Sequence, residues 1–222
     1  MSQTLPLFPL GTVLFPGLVL PLHIFEQRYR QLVNDLQQEP EPRRFGVIAI
    51  REGRETGAEG ARALYEIGCT ATVRHISARD DGRFDLVTVG ADRFRLISAD
   101  HSGAYLRGEV DLLDEVTGSR GAARREAQAV QRVFKDYVGV LAETGAARVS
   151  VPEPPDEPVA LSYLVAACVI ADLPVKQSLL DEPDALSRLA AERVLLTREI
   201  AMLRSLTAAP APDLRNSPYN PN

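Results

Sequence analysis

The chain has 222 residues, of which 45% are hydrophobic and 25% charged, values that are ordinary for a folded protein with a substantial core. Its formal net charge of −5 argues against general binding to nucleic-acid phosphates, because such binding depends on clustered Lys and Arg. The two cysteines, Cys69 and Cys168, lack Cys-x-x-Cys spacing, so a redox motif or zinc ribbon is not indicated. We expect two reduced thiols and a cytoplasmic protein.

The first 25 residues contain no charged side chain, and prolines interrupt the apolar run Leu7–Phe25 at three positions. These prolines exclude a membrane-spanning helix, because each would remove a backbone hydrogen bond. A secretory signal is also excluded, since its positively charged start is missing. The segment therefore predicts short strands near Leu5–Leu7 and Val19–His23, joined by Pro/Gly turns.

The next part of the chain begins with a single helix, after which apolar and polar residues follow patterns typical of strands. An apolar stripe predicts a helix that begins at Glu26 and ends before Pro40. An apolar run predicts a central strand over Phe45–Ile50, and the mixed, charged stretch Arg51–Arg62 is interpreted as an exposed loop. Asp81-Gly82 indicates a hairpin turn between two further strands, and strand patterns continue to about Leu113.

At Gly118 the apolar period changes to three and four, which is typical of helices. The pattern predicts a long helix entered at Ser119, a second across Ala160–Ile170, a short turn at Val175–Leu180 and a final helix whose apolar stripe is interrupted by Arg193. We therefore predict a β-rich subdomain over residues 1–117, a helical subdomain over 118–207 and a disordered tail over 208–222.

The string LPLFPLGTVLFPGLVLPLHIFEQRYRQLV, Leu5–Val33, resembles the start of the amino-terminal substrate-binding domain of Lon proteases. Further similarity lies in Glu66–Ala71, Val89–Phe94 and Tyr105–Val110, and the resemblance extends over about residues 5 to 206. It implies an α+β fold: a PUA-like twisted sheet or pseudo-barrel followed by an α-helical bundle. It also implies a module that captures unfolded or specific polypeptide segments.

In full-length Lon this domain precedes an ATPase module and a Ser-Lys peptidase module. Here no Gly-x-x-x-x-Gly-Lys-[Ser/Thr] loop is possible, because the residues before Lys135 and Lys176 are Phe134 and Val175. We expect a non-enzymatic adaptor, decoy or holdase without cofactors and without membrane contact, and a protease or chaperone is the candidate partner protein. The alternatives are an RNA-binding PUA-like protein, a component of a Lon-type proteolytic system acting in trans, and an enzyme with a cryptic hydrolytic site.

Residues that could carry chemistry are few. His23, His75 and His101 have no metal-ligand spacing, and we interpret His23 as a partly buried structural residue. We also interpret Arg93 as the anchor of a turn. The charges that open the first helix are interpreted as a solvated face, with recognition as the alternative. We predict neither a catalytic nor a metal site.

The Pro-Gly corner offers the candidate binding residues, Phe15, Pro16 and Leu18. Side chains at such corners tend to face outward, and exposed apolar side chains suit the capture of an apolar peptide. Coverage of Phe15 and Leu18 by the helical half is the alternative.

Overall fold

The computed structural model of the protein describes residues 2–55, 61–143 and 153–208. Strands and helices follow one another in two blocks, with one helix inserted in the first. The strands are β1 Ser2–Leu10, β2 Val19–Ile24, β3 Arg44–Gly53, β4 Ala61–Leu64, β5 Ile67–Ala78, β6 Phe84–Asp100 and β7 Arg107–Leu112. The helices are α1 Gln27–Gln38, α2 Arg120–Glu143, α3 Pro158–Cys168, α4 Leu173–Asp181 and α5 Ala185–Ala208.

Five of the strands form a closed ring in the order β1-β7-β6-β5-β3, and β3 returns to pair with β1. The β1–β3 pairing is parallel, and the other pairings are antiparallel. The long strand β6 pairs with β2 along its first half and with β7 along its second. Strand β4 pairs antiparallel with the last residues of β3.

Helix α1 packs its apolar stripe into the main core of the strand half. Its buried residues are Tyr29, Leu32, Val33 and Leu36, and the ring of Tyr29 stacks on Phe8 with centroids 4.0 Å apart. A smaller cluster, comprising Leu7, Ile48, Phe94 and Val110, fills another part of the strand half. Apolar burial of this extent is the main term that stabilises the ring.

Helices α2 and α5 begin at the same end of the helical half, where the Ala185 amide donates to the Val116 carbonyl. The core between the helices contains side chains from α2, α3, α4 and α5, and also Phe15 and Ile67 of the strand half. The two halves therefore share buried apolar surface. The boundary at residues 117 and 118 remains a prediction.

The α+β fold class is confirmed, and two local predictions need correction. The predicted loop 51–62 begins as the end of β3 and finishes in β4, while residues 56–60 lie outside the described residues. The predicted turn Val175–Leu180 is part of α4, because Pro174 in the first helical turn needs no amide donor there. The predicted tail lies outside the described residues except for Ala208, which ends α5.

Candidate functional site

The Pro-Gly corner is a tight turn that joins the first strand segment to β2. The Leu18 amide donates to the Phe15 carbonyl at 3.2 Å, and Gly17 has a φ of +80°. Proline at the second position and a positive φ at the third are features of a type II turn. Phe15 and Leu18 thus occupy the outer positions of the turn, and only Pro16 and Gly17 form its tip.

The corner is fixed against β6 by close backbone contacts. The Gly17 amide donates to the Gly90 carbonyl and the Gly90 amide donates to the Leu18 carbonyl, both at 2.9 Å. A Cβ atom at residue 90 would lie 2.3 Å from the Phe15 carbonyl oxygen, so only glycine fits there. Gly90 belongs to Val89–Phe94, a segment that resembles the family, and the close approach of the corner backbone explains why glycine stands there.

Phe15 does not face outward. Its side chain is 2% exposed and lies in the helical core, 6.3 Å from the Tyr163 ring by centroid. The expectation of an exposed Phe15 is wrong, and the alternative of coverage by the helical half holds for this residue. Pro16 and Leu18 are half-buried, and peptide binding at the corner remains a prediction.

Beside the turn lies a groove of about 300 Å³, which we name the corner groove. It separates the loop before β2 from the connection between α3 and α4. The loop and β2 contribute Gly11, Thr12, Val13, Leu14, Phe15, Leu18, Val19 and Leu20, and the helices contribute Ala167, Ala171, Leu173 and Lys176. Apolar side chains dominate this lining, and Lys176 is its one charged residue.

An apolar face adjoins the groove on the outside of the sheet. Val19 and Pro21 of β2 are exposed and lie directly opposite Val89 and Val87 of β6. The exposed fraction is 62% for Val19 and 39% for Val87. Because Val19 also lines the groove, the β2–β6 face and the corner groove form one continuous apolar surface. Such surfaces commonly mark binding sites.

Strand β2 has β6 on one side, and its other edge has no strand partner among the described residues. Leu18 directs its carbonyl toward β6, and alternation then directs the backbone groups of Val19, Pro21 and His23 to the open edge. Pro21 has no amide hydrogen, so the edge cannot offer a complete set of donors. A bound peptide would therefore rely on side-chain contacts more than on strand pairing.

On the other side of the turn, buried charged residues connect the two halves. Arg93 of β6 donates to the carbonyls of Leu180, in the last turn of α4, and Glu182, just after it, at 2.8 and 2.6 Å. Arg188 of α5 is fully buried and lies over the Tyr163 ring, 4.1 Å from its centroid. Arg93 indeed anchors a turn, the one between α4 and α5.

Glu115 is the carboxylate of this junction. Its oxygens lie 3.5 Å from the Arg93 Nε and 3.7 Å from an Arg188 nitrogen, and the Tyr163 hydroxyl donates to it. Burial raises the pKa of Tyr163, so this hydroxyl remains a donor. We name Arg93, Glu115, Tyr163 and Arg188 the charged junction. Apart from Arg93, nothing in the sequence patterns distinguished these residues from surface residues.

Glu192 lies one turn beyond Arg188 on α5 and is also fully buried. Neither of its carboxylate oxygens has a hydrogen-bond partner among the described residues. Burial raises its pKa well above the ordinary value, while nearby Arg188 lowers it by less. Arg193, which interrupts the apolar stripe of α5 in the sequence, is instead exposed and paired with Glu126.

Other candidates contribute no chemistry at the corner. His23 is exposed, which corrects the expectation of partial burial, and its ring lies 2.7 Å from Asp85.

Within the described ranges, no three His, Cys, Asp or Glu side chains cluster as metal ligands would. No helix in those same ranges is both long and apolar enough to cross a membrane. A larger cavity, about 660 Å³, has a mixed-charge lining that includes Arg120, Arg124, Asp156 and Glu157.

Comparison with known proteins assigns the family. The family model described as the ATP-dependent protease La (LON) substrate-binding domain matches residues 4–198. The chain belongs to this family. Lon protease 2 of Myxococcus xanthus is 28% identical over 209 residues, and Lon protease 2 of Syntrophobacter fumaroxidans is 25% identical over 206. These matches cover 92% and 91% of this chain, and 24% and 25% of the relatives. The chain thus spans about a quarter of their length.

Solved structures share the fold of this LON substrate-binding domain. A Lon N-terminal domain protein from Xanthomonas campestris aligns with a TM-score of 0.59 and 24% identity, covering 94% of this chain and 99% of that one. The N-terminal domain of the Mycobacterium avium complex Lon protease aligns with a TM-score of 0.63 and 15% identity, covering 90% and 98%. The match to the family concerns the substrate-binding domain, and it includes neither an ATPase nor a peptidase module.

Proposed function

We propose that this LON substrate-binding domain binds extended apolar polypeptide segments on the continuous surface formed by the corner groove and the β2–β6 face. In this proposal it acts in the cytoplasm as a non-catalytic adaptor or holdase, in association with a Lon-type protease. The observation that carries the proposal is the continuity of groove and face through Val19, which is 62% exposed.

The geometry favours an extended chain over a compact ligand. The groove holds about 300 Å³, enough for only a few side chains, whereas Val19 and Val87 on the face beside it are exposed. An extended segment can place apolar side chains in the groove and lay the next ones against Val19 and Val87. Leu18 and buried Phe15 line the groove, and Pro16, at the tip of the turn, lines the neighbouring cavity beside the charged junction.

Binding can be measured with a labelled, capped peptide, acetyl-Gly-Val-Leu-Gln-Val-Leu-Gly-amide, by fluorescence anisotropy. Val19→Ser should weaken binding, since it removes apolar contact area at the centre of the surface. Val194→Ser is a matched control, because Val194 is 66% exposed but lies on α5. Equal affinities of wild type and Val19→Ser would exclude this surface as the binding site.

The role of the bound complex can be tested separately. A holdase should suppress the light scattering of an aggregating, reduced client protein at near-stoichiometric ratio, and Val19→Ser should suppress it less. An adaptor should instead accelerate digestion of the same client when a Lon-type protease and ATP are added. Digestion of the client without added protease would contradict the non-catalytic proposal.

A further inference from the structure

Building on the proposed function, we propose that Lys176 gives the corner groove a preference for apolar segments that carry an acidic side chain, by pairing with that carboxylate. The bound segment is a polypeptide that passes over the groove with a Glu or Asp flanked by apolar residues. The argument rests on the partners of Lys176, its place at the start of α4 and the lining around it.

Lys176 has unused hydrogen-bonding capacity. Its Nζ donates to the Ala167 carbonyl at the end of α3, 2.6 Å away. An ammonium group has three donors, and Lys176 makes no other hydrogen bond or ion pair within the described part of the chain. By contrast, Arg93 and Arg188 in the charged junction both lie within 4 Å of Glu115.

The position of Lys176 on α4 favours an anion beside it. Lys176 is the fourth residue of this helix, and the first turn carries no acidic side chain. Helix amino termini carry partial positive charge, so a lysine there adds to a positive field where a carboxylate is normally favourable. Asp172, which precedes the helix, makes no side-chain capping bond and does not line the groove.

The surroundings strengthen a pairing at this site. Lys176 is half-buried, and burial lowers the pKa of its ammonium group by disfavouring the charged form. The remaining lining of the groove carries no charge that would compete. Since charges interact more strongly where water is partly excluded, a carboxylate held here gains more than it would on an open surface.

The test compares the glutamine peptide above with its glutamate counterpart, acetyl-Gly-Val-Leu-Glu-Val-Leu-Gly-amide, on the full chain. Wild type should bind the glutamate peptide about tenfold more tightly, the size expected for a hydrogen bond to a charged group. Lys176→Gln should remove the preference, so that the two peptides bind this variant with equal affinity. Lys176→Arg should retain most of the preference. Lys135→Gln, at the other lysine of the chain, is the matched control and should keep the full preference.

A second readout uses the two lysines directly. With amine acetylation followed by mass spectrometry, the glutamate peptide should protect Lys176 and leave Lys135 unchanged, even if a variant folds poorly. Equal binding of both peptides to wild type, or a preference that survives in Lys176→Gln, would overturn this inference and leave the proposed function standing. Failure of both peptides to bind would overturn both proposals. If wild type preferred only a glutamine peptide with a free carboxyl end over the capped glutamine peptide, the groove would be assigned to chain termini instead.

Discussion

The two sides of the Pro-Gly corner bring the strand half and the helical half together by different means. In the charged junction, Arg93 and Arg188 donate to backbone carbonyls and share Glu115, so the polar groups are largely satisfied from within the chain. At the corner groove, apolar side chains and one partly satisfied lysine remain accessible. We infer that the junction fixes the orientation of the two halves, whereas the groove is the surface proposed to bind a ligand.

Arg188→Met should have the largest effect on this contrast. It removes donors to the Leu179 carbonyl and the Ser162 hydroxyl, and it leaves Glu192 without its nearby cation. The free energy of unfolding should fall by about 4 kcal/mol, as when one partner of a buried pair is removed. Urea unfolding measures it. Arg193→Met, on the exposed side of the same helix, should cost less than about 1 kcal/mol, and equal losses would contradict a special role for the junction.

Phe15→Ala should come next. The ring is buried in the helical core although it belongs to the strand half, so its loss leaves a cavity between the two halves. We expect a loss of about 3 kcal/mol in the free energy of unfolding, at the lower end for buried aromatic residues because the site adjoins the groove. Val19→Ala should change it by less than about 0.5 kcal/mol. A small effect at Phe15 would mean that the halves are not joined through this contact.

Glu192→Gln should stabilise the protein by about 1 kcal/mol at neutral pH, because burial disfavours the charged form of Glu192 and glutamine has no charge to desolvate. The pKa of Glu192 is raised in the folded state, so the folded state holds the proton more tightly than the unfolded state. Wild-type stability relative to Glu192→Gln should therefore fall as pH rises from the ordinary Glu pKa toward the raised one. Parallel pH profiles for the two proteins, from urea unfolding, would refute the assignment.

The mildest test leaves the chain unmodified and compares its two thiols. Burial raises the pKa of Cys69 to about 12, and the residue lies in the strand core. Cys168 is half-buried at the end of α3, beside the groove. With a chromogenic disulfide at pH 8, Cys168 should react first and Cys69 only after unfolding. A bound apolar peptide should slow the reaction of Cys168, and fast labelling of Cys69 would show that the strand core opens.

Much of the fold could be predicted because periodic burial is visible in the sequence. The apolar stripes predicted α1, α2, α3 and α5, and alternation predicted the hairpin at Asp81-Gly82. The corner was harder, because turn chemistry identifies the tip but not the direction of the flanking side chains. Phe15 precedes the tip, where the chain is still extended and its side chain points inward.

The buried charges could not be predicted for a different reason. Arg188 and Glu192 are separated by four residues, the spacing of ordinary surface pairs on helices. Helix α5 packs against α2 and also against α3 and α4, so more than one of its faces is covered. An apolar stripe marks only the first of these faces. The second is occupied by Arg188 and Glu192, and Arg188 contacts Ser162 and Glu115, which lie far from it in the sequence.

The pairing of β1 has a consequence for how the chain forms during synthesis. Its first half pairs with β7, placing Ser2 opposite Asp111, and its second half pairs with β3. The ring therefore cannot close until more than 110 residues have left the ribosome. Phe15 must then wait for α3 and α5 before it is covered. During that interval the nascent chain exposes apolar side chains that the folded protein buries.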